Sequence, residues 1–445
     1  MINDRIKAMV RDFNPQWEGK EAVLPPDYKR HIFPEIEKYL KTKQIIAILG
    51  LRRVGKTVLM KQVMKDLKGP KENIFYFLLD DIVVHDPDIL EDILNYFLKT
   101  IAKKGKKYIF LDEIQKVPYW QDILKRFYDM REDMKFVVSG SASLQIKKSK
   151  ESLAGRIFDF YLPILTFREF LELNGMETEK SGLGSKGLEE VYEKNINKKP
   201  LLEKMFLQYI YKGSFPEMAR VEDDDIVRNY VKSSVIDKIV LEDIPSVFAV
   251  RKKDILFSVL EYCSRETSNL LDISNLASIL KTNYQTARSY IFYLQNSFVI
   301  DIVYNHSKSI AKQLRKNKKI HVAHPSIAIS MAGYRKDALN VSELMGKYVE
   351  TAVFQHSKCL SERISFWRTP QKDEVDIILS GKETIPIEVK YQSQISPSDL
   401  KPLLKFMDLH GVKKGFMVTK DLLEKRTIDG KTIQLVPAWV FLMVV

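Results

Sequence analysis

The stretch Gly50-Leu51-Arg52-Arg53-Val54-Gly55-Lys56-Thr57 constrains the fold of this chain more than any other. It fits G-x-x-x-x-G-K-[ST], a loop whose backbone N–H groups cradle phosphates. Its flanks supply the context such a loop needs. Ile45 to Leu49, just before it, is a short apolar run of the kind that makes a buried parallel strand. After it, Val58, Leu59, Met60, Val63, Met64 and Leu67 recur at helical spacing, and Gly69-Pro70 stops the helix. Strand, glycine loop and helix together turn N–H groups toward an anion. Gly50, Arg52, Arg53, Val54, Gly55, Lys56, Thr57 and Val58 are therefore expected to surround a nucleotide, with ATP the expected one. Lys56 is expected at the β and γ phosphates, and Thr57 on Mg²⁺.

At 445 residues the chain is too long for one core. A hydrophobic content of 45% against 29% charged excludes a disordered chain. No signal peptide and no apolar run of membrane-spanning length is found, so no membrane partner is expected. The tail from Val436 to Val445 is too short to span and reads as a buried strand. Cys263 and Cys359 imply neither a disulfide framework nor a cysteine zinc site, and a cytoplasmic location is expected. The histidines show no metal-ligand spacing. The formal charge of +13 favours a polyanion partner, with a merely lysine-rich surface as the alternative.

Residues 1–43 read as a lead-in packed on the first domain. Asn73 to Leu79 is a second buried strand that ends at Asp80-Asp81, and Ile89 to Ile101 carries helical periodicity. Tyr108-Ile109-Phe110-Leu111 then ends in Asp112-Glu113. Asp112 is expected to hold Mg²⁺ through water, and Glu113 to polarise the attacking water. Lys135 to Val138 is a further strand with hydroxyls at its tip. Ser139 or Ser141 is placed to sense the γ-phosphate, the alternative being a capping serine. Arg156, in Ser152-Leu153-Ala154-Gly155-Arg156, could stabilise transition-state charge in its own or a neighbouring subunit, which leaves a homo-oligomer open.

Gly-Leu-Arg-Arg-Val-Gly-Lys-Thr, Leu-Asp-Glu-Ile-Gln-Lys-Val-Pro-Tyr-Trp, Ser-Gly-Ser-Ala-Ser, Ser-Leu-Ala-Gly-Arg and Leu-Pro-Ile-Leu-Thr-Phe-Arg-Glu-Phe resemble the archaeal and bacterial AAA+ class ATPases that carry a DUF4143-type C-terminal region. The run from Leu111 to Trp120 is the most specific of these. The resemblance spans nearly the whole chain and implies an α/β protein: a parallel-sheet P-loop ATPase core, a helical lid, a winged helix-turn-helix, and a C-terminal unit related to restriction endonucleases. The corresponding boundaries are 44–165, 166–248, 249–335 and 336–445.

Within the expected lid, Glu179 to Pro200 is polar and glycine-bearing and reads as a loop or mobile insertion. Phe206 to Tyr211 resumes a helix that Gly213-Ser214-Phe215-Pro216 breaks, and residues 223–246 form an acidic and apolar helix pair. From Lys252 the outline is helix, helix, turn at Lys281-Thr282-Asn283, helix from Tyr284 to Asn296, then a strand from Phe298 to Val303. The last helix would present Gln285, Arg288 and Ser289 to DNA bases or phosphates. Lys308, Lys312, Arg315, Lys316, Lys318 and Lys319 would lie as a wing against the phosphate backbone. The alternative is a winged helix that binds protein or joins domains.

In the C-terminal unit, Asp376 lies on one strand of a hairpin and Glu388-Val389-Lys390 on the next, matching D…(D/E)-x-K. Residues two apart on a strand share a face, so Glu388 and Lys390 point the same way. Asp376 and Glu388 are hard oxygen ligands for Mg²⁺ or Mn²⁺. Lys390 would position the attacking water, and Glu350 on the preceding helix would serve as an accessory acid. The expectation is an ATP-dependent DNA-processing enzyme that cuts DNA, on branched structures by analogy. The rival is a regulatory ATP switch whose C-terminal unit binds without cutting.

Overall fold

Five short runs, four of them mostly buried, pair into one sheet in the computed structural model, which describes residues 3–20, 26–79, 88–141, 153–307 and 309–445. The side chains of Ile310, Lys312 and Arg315 are also outside the described set. The readings placed on Asp80, Asp81, Ser152, Lys308, Lys312 and Arg315 therefore fall outside it. The chain divides into two units, Met1–Pro163 with Leu241–Val250 and Asn296–Phe298, and the remainder.

The first unit holds β1 (Ile45–Leu49), β2 (Ile74–Leu78), β3 (Lys107–Asp112), β4 (Met134–Gly140) and β5 (Ile157–Tyr161), all parallel in the order β2-β3-β4-β1-β5. Every residue of β1 and β4 is buried, as a sheet covered on both faces requires. The helices Lys56–Asp66, Ile89–Tyr96 and Trp120–Met130 belong to this unit. A strand is thus inserted between the one that feeds the glycine loop and the one that ends in Asp112. The first residues join this core. Asn14 donates to the Tyr76 carbonyl and accepts from the Tyr76 N–H, both at 2.8 Å, so it pairs the outer edge of β2. Trp17 stacks on Phe75 and Phe97.

The second unit contains one sheet of nine strands, ordered β13-β14-β12-β11-β10-β9-β7-β8-β6. The strands are β6 (Leu270–Leu271), β7 (Ile300–Asn305), β8 (Lys318–Val322), β9 (Arg363–Arg368), β10 (Glu374–Ser380), β11 (Thr384–Val389), β12 (Lys414–Thr419), β13 (Glu424–Ile428) and β14 (Lys431–Pro437). The strands expected of a winged helix and those expected of the C-terminal unit are continuous, because β7 pairs in parallel with β9 at Tyr304 and Ser365. The helices Lys253–Arg265, Ile273–Ile279 and Tyr284–Asn296 precede β7.

Two expectations are corrected. The tail is not a strand: β14 ends at Pro437, and Ala438–Val444 is a helix buried at every residue. A segment apolar all round has no periodicity to separate helix from strand. Within 179–200, the helix Ser185–Asn195 replaces the expected loop. Its Leu188 and Val191 are buried, and Tyr192 stacks on Trp439 of the tail helix, so partners distant in sequence order it. Leu241–Val250 groups with the first unit.

Candidate functional site

The glycine loop lies at the C-terminal end of β1, and its geometry explains its residues. A Cβ on Gly50 would stand 2.4 Å from the Leu162 carbonyl oxygen, so no side chain fits there. Gly55, at φ 98°, and Arg53, at φ 67°, take left-handed backbone. Lys56 is buried and donates to the carbonyls of Gly50 and Leu51, both at 3.1 Å, so its ammonium folds over the loop interior. Val54 gives its carbonyl to Arg30, and Val58 lies in the first turn of the helix Lys56–Asp66.

Asp112 is the hub. Thr57 Oγ1 donates to its Oδ2 at 2.5 Å, Tyr76 OH donates to the same oxygen at 3.0 Å, and Ser139 Oγ donates to Oδ1. Ser139 also accepts the Glu113 N–H at 3.2 Å. The adjacent strands β3 and β4 thereby bring Thr57, Asp112, Glu113 and Ser139 to one point. Glu113 has φ 55°, a strained conformation that turns its side chain away from the strand direction, where it accepts from Gln115. Ser141 lies one step away and accepts from Gln115 at 3.2 Å. Thr57 and Asp112 are the hard oxygen donors Mg²⁺ prefers, already in contact, so the residues present fit that ion.

Three contributors were not legible in the sequence. Tyr76 has its phenol pushed up by burial and by the Asp112 charge, so it acts as a donor to that carboxylate. Arg30, from the lead-in, is buried and donates to the carbonyls of Val54 (2.7 Å) and Pro163 (2.8 Å), pinning the loop from outside. Asp243 accepts from Arg52 Nη1 at 2.7 Å, while its buried Oδ2 has no hydrogen-bond partner among the described residues. Burial raises its carboxyl to about 6 despite Arg52, and the Glu113 charge adds to the rise. An acid raised from 3.8 to about 6 stabilises the fold when protonated, and that contribution is lost as pH climbs from about 4 through 6. Asp243→Asn, which cannot ionise, is expected to gain about 2 kcal/mol on the wild type between pH 4 and pH 7. Denaturant unfolding of the two proteins across that range measures it; a constant difference removes the argument.

Arg156 is not where a role in its own subunit needs it. Its carbonyl accepts from the N–H of Ile45, at the end of β1 opposite the loop, and its guanidinium pairs with Asp129 at 2.8 Å. The length of β1, roughly 15 Å at 3.3 Å per residue, separates it from the phosphate end.

The C-terminal cluster differs more deeply from expectation. Glu350 lies on the helix Ser342–Ser357, Glu374 and Asp376 on β10, and Glu388 on β11, with Lys390 Nζ 3.3 Å from Glu388. The expected wing residue Lys319, on β8, is buried among them. Its ammonium lies 2.8 Å from Glu350, 2.5 Å from Glu374 and 3.1 Å from Asp376. Lys319 therefore cannot lie on a DNA backbone. Nor do Asp376, Glu388 and Glu350 form an open metal site; among the described residues no group of three or more histidine, cysteine or acidic side chains is placed to hold a metal. In this arrangement the Lys319 ammonium lies against Glu350 and Asp376, and Lys390 against Glu388. Burial, with the Asp376 charge beside it, raises the Glu350 carboxyl to about 8 and raises that of Glu388 strongly.

Of the residues expected on DNA, Gln285 and Arg288 are exposed on the helix Tyr284–Asn296. Lys318 is half-buried and donates to the Leu314 carbonyl at 3.2 Å, over the Tyr304 ring.

Residues 42–171 match the family model of an AAA domain. That match and the parallel sheet with its glycine loop support an AAA+ ATPase class for the first unit. Residues 203–338 match DUF8612 and 345–441 match DUF4143, both domains of unknown function. An uncharacterized protein of Methanocaldococcus jannaschii is 25% identical over 422 residues, covering 91% of this chain and 89% of its own length. One of Haemophilus influenzae is 23% identical over 423 residues, covering 92% and 98%. The Aeropyrum pernix Orc1 protein in complex with DNA is 12% identical with a TM-score of 0.33, covering 69% of this chain and 94% of that one. No helix among the described residues is long and apolar enough to cross a membrane.

Proposed function

We propose that this chain is an ATPase that binds DNA and uses nucleotide turnover to control that binding. The observation that carries the ATPase reading is the convergence of Thr57, Tyr76 and Ser139 on Asp112, with Glu113 tied to Ser139. Lys56 leaves the carbonyls of Gly50 and Leu51 when phosphate oxygens replace them. Arg52 and the loop N–H groups take the remaining phosphate charge. Thr57 and Asp112 would hold Mg²⁺, which supplies positive charge against the β and γ phosphates when bound. Glu113 accepts the proton of the attacking water as the water oxygen bonds to the γ-phosphorus and the bond to ADP breaks. A contribution from Arg156 requires a second copy of the chain, because its own loop is at the far end of β1.

Phosphate release from ATP by the purified chain tests this directly. Lys56→Ala is expected to bring release to the protein-free background and to abolish nucleotide binding by filter retention or calorimetry. Undiminished release in that variant overturns the reading.

The DNA reading rests on the formal charge of +13 and on Gln285 and Arg288, exposed on one helix. Duplex DNA is expected to bind at low salt, and Arg288→Ala should lower the slope of log affinity against log salt by about 1. Fluorescence anisotropy across a salt series measures both. No binding at low salt would leave nucleotide turnover without its proposed partner and favour a protein-binding switch.

A further inference from the structure

We propose that the Lys319 ammonium stands where a divalent cation would otherwise be held, so that the C-terminal acidic cluster is closed by a tethered cation. A single charge then separates this chain from a metal site. The proposal is independent of the ATPase reading, since it concerns other residues in the other unit.

The argument starts from donor counting. A lysine ammonium has three N–H donors and no acceptor. Here two of them go to carboxylates, Glu350 at 2.8 Å and Asp376 at 3.1 Å, and Glu374 forms an ion pair with the same ammonium at 2.5 Å. The side chain is 2% exposed, so it is not a surface lysine caught in passing. It arrives from β8, three places from β10 in the sheet order, with its ammonium 5.7 Å from the Phe366 ring of β9. The other oxygen of Asp376 accepts the Val389 N–H at 3.0 Å, so Lys319 occupies the oxygen that backbone pairing leaves over.

Four acids face three cations here, since Arg368 pairs with Glu374 and Lys390 with Glu388 beside Lys319. Glu388 is buried beside Asp376, and its Oε2 has no hydrogen-bond partner among the described residues although Lys390 lies against its other oxygen. A buried carboxylate oxygen without a partner is costly. A divalent cation in the position of Lys319 would draw Glu388 in with Glu350 and Asp376, giving the hard oxygen set such ions prefer. The ammonium and the acids also come from different segments. Lys319 lies within the residues matching DUF8612, whereas Glu350, Glu374, Asp376 and Glu388 lie within those matching DUF4143. One substitution outside the acidic segment can therefore open or close the site.

Binding of Mn²⁺ to the full chain without nucleotide, read as loss of the free-ion paramagnetic resonance signal, tests the proposal. The glycine-loop site contributes equally to every variant. Wild type and Asp376→Asn are expected to bind the same number of ions. Lys319→Met is expected to bind one more per chain, and Lys319→Met with Glu388→Gln to lose it again. A wild-type site that Asp376→Asn removes overturns the proposal, because the lysine then yields to metal. So does a folded Lys319→Met that gains no ion. If Lys319→Met does not fold, the comparison of wild type with Asp376→Asn still decides whether the native cluster is closed.

Discussion

Replacing Glu113 by Gln is expected to lower ATP turnover by about 100- to 10,000-fold while leaving ATP binding within a few-fold of wild type. The two halves of that result have separate causes. Binding depends on Lys56, Thr57 and the loop N–H groups, none of which Glu113 touches; its N–H bonds to Ser139 and its carboxylate to Gln115. Turnover depends on a base that removes a proton from water, and an amide cannot do so. The shape of the site is kept, because the Gln115 amide can still donate to the side-chain oxygen that Glu113→Gln retains. Pre-steady-state phosphate release beside a binding isotherm separates the terms. Equal losses in affinity and turnover would mean that Glu113 organises the loop, and the base would have to be sought elsewhere. The strained φ of 55° argues for the assigned role, since backbone held off its preferred region persists where its surroundings over-determine it.

What the sequence made legible divides along physical lines. β1, β3 and β4 were readable because a strand buried on both faces is written as a continuous apolar run, and the residue at its tip lies at the sheet's working edge. Hence Lys56, Thr57, Asp112, Glu113 and Ser139 were named from sequence, and the structure brings them together. Arg30, Tyr76 and Asp243 were not, since each reaches the loop across the fold: Arg30 through two carbonyls, Tyr76 from a neighbouring strand, Asp243 from a segment beyond residue 240. The tail failed for another reason. Ala438–Val444 has no polar face, so neither helical nor strand periodicity could show. Lys319 is the instructive error. It sits in a run of lysines that composition assigns to solvent, yet β8 is buried from Lys319 onward while Lys318 stays half-exposed. Sequence spacing located the acids and could not see that their counter-charge was already present.

Lys319→Met should destabilise the second unit by about 3–5 kcal/mol, the range for removing one partner from a buried charge cluster. Methionine nearly preserves the volume, so the loss is electrostatic rather than a cavity. Without the ammonium, Glu350 and Asp376 face each other at low exposure with their cation gone, while Glu374 keeps Arg368. The pH dependence distinguishes this cause from a packing defect. Burial and Asp376 already hold the Glu350 carboxyl at about 8 against the opposing pull of Lys319, so removing the lysine raises it further. A carboxyl raised in the fold supports stability in its protonated form, fully present below the unfolded value near 4.5 and lost as pH rises through the folded one. The deficit of Lys319→Met should therefore be largest above pH 8 and shrink toward pH 5, where Glu350 is protonated. Adding Glu350→Gln should recover part of the loss, giving a coupling energy that a double-mutant cycle reads directly. Chemical denaturation of the four proteins at pH 5, 7 and 9 provides the measurement. A deficit that stays constant with pH, or a cycle that sums without coupling, would show that Lys319 fills space in the cluster and does not hold it together.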